Sequence, residues 1–258
     1  MPKKDFFQKV INYLKKKEKR LIEIKEAQRI IFVGDTHGDL YVSKNVIKNY
    51  LKKGIKIVFL GDYVDRGELS KENFNFLLEK KLKHPSQIFL LQGNHEGYPI
   101  FPFSPADFWE SLDQKEYKIY SKIVKRLPLI LVAKNIIALH GSLPEISSPK
   151  EVENIILGDE KWFQITWGDF VESRGEFLGL DPLSGRPLFG RDWFFKLMKR
   201  FKKDFLFRSH QPNFPILAFS ERCFTIFSSS VYGEEKTLAE VDFEKRKIER
   251  EDIKIIKI

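Results

Sequence analysis

The 258-residue chain has one cysteine, Cys223, and only two methionines. A single thiol excludes an internal disulfide framework. No run approaches the roughly 18 apolar residues of a membrane-spanning helix, so none is expected. The N-terminal stretch MPKKDFFQKVINYLKKKEK breaks its apolar residues with lysine and offers no small-residue cleavage site. It does not read as a signal peptide. Internal repeats, low-complexity segments and a linker long enough to divide domains are also lacking. These absences lead to the expectation of one cytoplasmic, enzyme-sized domain over residues 1–258.

What is present is charge, phenylalanine and a small set of histidines. Lys and Arg total 45 against 36 Asp and Glu, a formal charge of +9. The lysines are spread along the chain. The densest block, Lys15 to Arg20 (KKKEKR), has no aromatic residues interleaved for base stacking. This is the pattern of a solvated Lys/Glu surface, and no nucleic-acid partner is expected. With 24 Phe and 42% hydrophobic residues, the chain can build a sizeable core.

Periodicity orders the first half. Apolar spacing predicts a flanking helix from Asp5 to about Lys25. Ile30 to Val33 reads as a buried strand, Val42 to Lys53 as a helix, Lys56 to Leu60 as a strand, Ser70 to Lys83 as a helix with Ser70 as its N-cap, and Gln87 to Leu91 as a strand. This alternation predicts a parallel sheet covered by helices, an α/β class. Further on, Pro105 to about Lys125 reads as helix. Leu129 to Ala133 and Asn135 to Leu139 read as short strands. Ser142 to Pro187 reads mostly as loop, with one helical piece near Glu151 to Leu157. Asp192 to Lys202 reads as helix and Asp204 to Phe207 as strand. Antiparallel strands are expected around Ile216–Phe219, Cys223–Phe227, Lys236–Phe243 and Lys247–Ile256.

Five strand-like runs end in potential metal ligands: Asp35 with His37, Asp62, Asn94, His140 and His210. The chain has only five His, and four of them, His37, His95, His140 and His210, follow such a run. Scattered core or surface histidines would not collect at strand ends, where open α/β sheets keep their chemistry. A set of carboxylate, imidazole and amide oxygen without thiolate suits Mn, Fe or Zn. A shared Asp with ligands on either side points to two ions about 3.5–4 Å apart.

The blocks GDTHGD (34–39), GDYVDRG (61–67) and GNHE (93–96) resemble the signatures of the PPP family of metal-dependent serine/threonine phosphatases, within the calcineurin-like metallophosphoesterases. LPLILVAKNIIALHG (127–141) and FRSHQ (207–211) are similar to that family's later blocks. The resemblance spans about Ile30 to Tyr232. It implies a β-sandwich flanked by helices, in α/β/β/α layers, and two divalent ions, with Mn favoured over Fe or Zn. It implies hydrolysis of phosphoserine and phosphothreonine in a phosphorylated protein substrate by direct attack of a metal-bridging hydroxide. Asp35 and His37 would bind the first ion and Asp62 would bridge. Asn94, His140 and His210 would complete the second. His95 would be the general acid with Asp65 paired to it, and Arg66 would clamp phosphate oxygens. Arg186 would be a second clamp, with Arg174 as its rival, and Tyr232 would lie over the metals.

The chain departs from that pattern at Gly97-Tyr98 after GNHE, at HGS (140–142), and at Trp167-Gly168-Asp169. These bear on substrate choice rather than on the ligand set. A diadenosine polyphosphate or other small-phosphoester hydrolase of the same superfamily is the alternative expectation.

Overall fold

Ile30, Ile31, Phe32 and Val33 are all fully buried, which a strand achieves only when both of its faces are covered. In the computed structural model, which describes residues 4–233 and 235–258, that is how they sit. Residues 1–3 of the expected domain and position 234 of its late loop lie outside the described residues.

The elements run α1 (Lys4–Lys17), β1 (Leu21–Glu23), β2 (Arg29–Val33), α2 (Leu40–Tyr50), β3 (Ile55–Phe59), α3 (Ser70–Lys83), β4 (Ile88–Leu90), α4 (Asp107–Glu110), α5 (Gln114–Val124), β5 (Ile130–Ala133) and β6 (Ile136–Ala138). They continue with α6 (Glu160–Trp167), β7 (Asp169–Phe170), β8 (Phe177–Leu180), β9 (Pro187–Phe189), α7 (Arg191–Phe201), β10 (Phe205–Arg208), β11 (Leu217–Ala218), β12 (Cys223–Thr225), β13 (Thr237–Asp242) and β14 (Ile253–Lys257). One sheet has the order β14-β13-β2-β3-β4 and a second the order β1-β5-β6-β10-β12-β11. A small third sheet has the order β7-β9-β8.

The period of two along each strand builds the layers. Ile30 and Phe32 of β2, with Val58 of β3, meet Ile136 and Ala138 of β6 and Phe205 and Phe207 of β10 between the two large sheets. Phe32 stacks on Phe207 across that interface with ring centroids 4.1 Å apart. The alternate residues Ile31, Val33, Ile57 and Phe59 face helices, packing with Val46 of α2, Phe74 and Leu77 of α3 and Ile123 of α5. On the far side, Ile137 and Leu206 pack with Trp162 and Ile165 of α6 and Phe194 and Leu197 of α7. The architecture is the α/β/β/α sandwich that the sequence leads one to expect.

β2, β3 and β4 are mutually parallel, as are β6 and β10. Each group therefore delivers its following loops at one end, and the two ends are joined. Asp35 forms an isolated parallel bridge to Phe227, and its backbone N–H donates to Ser209 Oγ at 2.9 Å. Gly34 is required where the two sheets touch, because a Cβ there would lie 1.9 Å from the Ile226 carbonyl oxygen.

Several expectations are corrected. The N-terminal helix stops at Lys17, and Leu21–Glu23 instead pairs parallel to β5 as an edge strand. Its apolar residues switch there from helical spacing to a short run. Ser70 is the first helical residue rather than the N-cap, which is Leu69; the Ser70 hydroxyl donates to Gly67 O. The segment after Pro105 is two helices, because Asp113 caps a fresh start by accepting from Lys115 N and Glu116 N. Ser142 to Pro187 is mostly loop as expected, but it also holds α6, β7, β8 and the start of β9, which the sequence did not disclose, and its helical piece is a 3-10 turn at Pro149–Asn154. β12 runs parallel to β10, whereas β11 with β12 and β13 with β14 are antiparallel as expected.

The Phe32–Phe207 stack is the centre of the sandwich. Phe207→Ala should lower unfolding free energy by about 3–5 kcal/mol, measured by urea denaturation. A loss under ~1 kcal/mol would show that the sheets are held together elsewhere.

Candidate dinuclear metal site

The turns after β2, β3 and β10 use backbone conformations that side chains other than glycine rarely adopt. His37, Asp62, Asp65, Arg66 and His210 all have positive φ, between 38° and 74°. Glu96 holds the second of these turns: its carboxylate accepts from the backbone N–H of Asp62, Tyr63 and Gly93 at 2.8 to 3.0 Å. Gly93 lets the third loop lie against the second, since a Cβ there would lie 2.1 Å from Asp62 Oδ1. Asn73 of α3 ties the first two loops together by donating to Thr36 Oγ1 and Tyr63 O.

The result brings all six expected ligands to one buried place. Asp35, His37, Asp62, Asn94, His140 and His210 are each at most 4% exposed. Ligand atoms of His37, Asp62 and His95 lie within 4.8 Å of one another, as do those of Asp62, His140 and His210, and Asp62 is common to both groups. Asp62 Oδ2 lies 3.8 Å from His37 Nε2 and 3.3 Å from His140 Nε2, and Asp35 Oδ2 lies 3.7 Å from His37 Nε2.

Hydrogen bonding fixes which atoms face inward. His37 Nδ1 donates to Val64 O and His140 Nδ1 to Leu60 O, each at 2.9 Å. A carbonyl only accepts, so each ring presents an unprotonated Nε2 to the cluster. His37 Nε2 is buried without a hydrogen-bond partner among the described residues. His140 Nε2 faces Asn94 Oδ1 at 3.1 Å and His210 Nδ1 at 3.2 Å. His210 turns Nε2 toward Asp169 Oδ1, 3.4 Å away, although neither atom makes a hydrogen bond among the described residues. Lone pairs from carboxylate, imidazole and amide thus converge with too few protons between them. A donor set of this kind fits divalent cations.

Electrostatics agree. Burial, then the charge of Asp62, pushes Asp35 up to about 7, and burial pushes Asp62 up to about 7 as well. Burial holds His37 down to about 3 and keeps His140 below and His210 well below the ordinary imidazole value. These residues resist charge in a dry pocket, a resistance that a bound cation reverses for the carboxylates.

Beside the cluster, His95 Nδ1 and Asp65 Oδ2 are 2.6 Å apart, and Asp65 Oδ1 accepts from Phe108 N. Burial opposes charge on both partners, lifting Asp65 to about 8 and holding His95 well below its usual value. The short contact to the carboxyl group fixes the orientation of the ring. The Arg66 guanidinium lies over the Tyr232 ring at 5.2 Å, and that ring is 5.6 Å from His37. Lys236 and Ser230 anchor the Tyr232 loop through Asp39. Arg186 pairs with Asp169 at 3.6 Å, and its charge acts on Asp62, His95 and His210. Arg174 is exposed on the surface.

The calcineurin-like phosphoesterase family model matches residues 28–214. The chain belongs to that family. Among curated relatives, a probable serine/threonine-protein phosphatase of Encephalitozoon cuniculi is 29% identical over 205 residues, 74% of this chain and 44% of that protein. Serine/threonine-protein phosphatase T of Saccharomyces cerevisiae is 28% identical over 219 residues, 79% of this chain and 42% of the relative. The chain therefore spans less than half the length of these two relatives. A solved Saccharomyces cerevisiae protein serine/threonine phosphatase superposes with TM-score 0.80 at 22% identity, over 100% of this chain and 90% of that one. A putative diadenosine tetraphosphatase superposes with TM-score 0.56 at 15% identity, over 93% of this chain and 98% of that one. At these identities the two structures show the shared fold. No helix among the described residues is long and apolar enough to cross a membrane.

Sequence reasoning gave no role to Glu96, Ser209, Asn73 or Asp169, although all four organise the phosphoesterase site. Glu96 and Ser209 lie inside recognised blocks, but their hydrogen bonds go to loops distant in sequence. Asp169 was noted only as a departure in its motif, and its neighbours Arg186 and His210 reach it through the fold.

Since Asp35 and Asp62 hold protons up to about pH 7 in the buried cluster, a cation must displace them. Manganese affinity should therefore rise with pH between about 6 and about 8, with proton release into the buffer. Calorimetry in buffers of different ionisation enthalpy measures both; pH-independent affinity with no proton release would contradict these carboxyl values.

Proposed function

We propose that this phosphoesterase is a two-metal phosphoprotein phosphatase acting on phosphoserine and phosphothreonine. The observation that carries the proposal is the shared Asp62 between two ligand groups, with the His95–Asp65 pair at its edge. Asp35, His37 and Asp62 would hold one ion, and Asp62, Asn94, His140 and His210 the other, with manganese the favoured metal. Such ions supply positive charge for phosphoryl oxygens and polarise water.

The chain's own residues do the rest. Hydrolysis returns the serine or threonine oxygen with a proton, because an alkoxide is a poor leaving group. His95 would supply that proton, and Asp65 holds the ring through the 2.6 Å contact at Nδ1. Arg66 and Arg186 would bind the phosphoryl oxygens, for which the planar guanidinium fork is suited. Arg186 stands on a firmer footing than Arg174 because its charge reaches the cluster. Tyr232, stacked with Arg66, would border the phosphate pocket. The names of the curated relatives favour a protein substrate over a dinucleotide. A cytoplasmic location accords with the single cysteine.

His95→Asn should cut turnover of a phosphoserine peptide roughly 10²- to 10⁴-fold with two manganese ions still bound. The loss should be smaller on an aryl phosphate, whose phenolate needs less protonation. Equal loss on both substrates, or none, removes His95 as the acid. Faster turnover of diadenosine tetraphosphate than of phosphopeptides would overturn the substrate assignment.

The two arginine candidates separate in a second measurement. Arg186→Ala should raise KM for the phosphopeptide about tenfold or more, on the scale of a lost charge-assisted hydrogen bond. Arg174→Ala should leave KM unchanged, and the reverse pattern would exchange their roles.

A further inference from the structure

Arg208 is a fully buried guanidinium at 0% exposure, at the end of β10 and two residues before His210. Its partners are neutral oxygens. Nε donates to Gly141 O at 2.6 Å, Nη1 to Gln211 Oε1 at 2.9 Å and Nη2 to Gly168 O at 3.3 Å. The rings of Phe170 and Phe214 lie 5.4 and 5.9 Å from its central carbon. No ion pair joins it among the described residues. A buried cation without a carboxylate partner is a costly feature that a methionine or leucine would avoid.

The identity of its acceptors gives the reason. Gly141 follows His140, Gly168 precedes Asp169, and Gln211 follows His210. Gln211 extends the hold by accepting from Phe170 N and donating to Phe170 O. One planar group therefore touches the three loops that carry His140, His210 and the carboxylate facing His210 Nε2. The loops of Asp35, His37 and Asp62 are held by other groups: Ser209, Val64 and Glu96.

We propose that Arg208 is a positioning residue for one half of the metal centre: it holds His140 and His210 in register and leaves the Asp35–His37 half to other groups. The inference rests on the two-metal reading above, and not on which phosphoester is hydrolysed. Three acceptors splayed around a fork require the shape of arginine, which neither lysine nor a neutral side chain reproduces.

The test is manganese titration by calorimetry, with electron paramagnetic resonance to distinguish a coupled ion pair from a single ion. The intact chain should bind two ions. Arg208→Met should retain one binding event near its original affinity and weaken the other roughly 10- to 100-fold, as loss of outer support does elsewhere. The weakened event must be the one that His210→Ala abolishes, and the coupled signal must give way to that of an isolated ion. A folded Arg208→Met chain that binds both ions as before, or weakens both equally, overturns the proposal. If Arg208→Met does not fold, Gln211→Leu removes the Nη1 acceptor and both Phe170 bonds while the guanidinium stays. The same one-sided weakening is then required, and an even or absent effect overturns it. An intact chain that binds fewer than two ions also overturns it. Two bound ions with no phosphopeptide hydrolysis would sink the phosphatase reading and leave the role of Arg208 standing.

Discussion

The structure depends on an unfavourable arrangement: lone pairs from Asp35, His37, Asp62, Asn94 and His140 face one another on side chains that are almost fully buried. His37 and His140 already carry a hydrogen on Nδ1 for a carbonyl oxygen, so a proton on Nε2 would make each ring a cation, which burial opposes. The carboxylates can relieve it only by taking protons, as their raised pKa values show. Such repulsion persists because each loop is anchored by bonds pointing away from the cluster, through Glu96, Ser209 and Asn73. The same repulsion gives the site its affinity for cations, since the electron pairs are ordered before an ion arrives and no ordering entropy remains to oppose binding.

The two large sheets explain how six residues spread from position 35 to position 210 can meet. Parallel strands deliver their loops at one end; the first sheet supplies Asp35, His37, Asp62 and Asn94, and the second supplies His140 and His210. The inter-sheet core, with Phe32 stacked on Phe207, sets the distance between those ends. Asp35 lies at the junction: its backbone is bonded to the second sheet's Ser209 while its side chain belongs to the cluster. Fold and site therefore share the same anchors.

Much of this was legible in the sequence because strands buried on both faces read as continuous apolar runs. IIFV, KIVFL and QIFLL are such runs, and each ends in a loop containing glycine and a candidate ligand. The reading was poorest between Ser142 and Pro187. Strands of two to four residues there carry no detectable period, and the exposed β8 lacks the burial that makes a run apolar. Helix α6 did leave a signal, since Asp159 accepts from Trp162 N as its cap, but with eight residues its spacing hardly exceeds two turns. The failure at Lys17 to Glu23 has another cause. Locally only a short apolar run after the lysines marks the end of α1, and what makes Leu21–Glu23 a strand is β5, more than a hundred residues away. Asp169 and Arg208 belong to the same class, because their importance lies in contacts that only the folded chain creates.

Backbone strain follows the same division of labour. Among the described residues, five of the ten non-glycine residues with positive φ belong to the proposed site: His37, Asp62, Asp65, Arg66 and His210. Each such residue costs about 1–3 kcal/mol. Glycine would relax these turns, but it carries no ligand, acid or clamp. The strained positions sit two to seven residues beyond strands whose residues are almost all buried. Elements of that kind open last, so a turn attached to them cannot relax without unfolding the sheet. The strain is thus evidence of where rigidity is needed: a looser scaffold would let the loops relax and the lone pairs separate, and the affinity for cations would be lost while the fold survived.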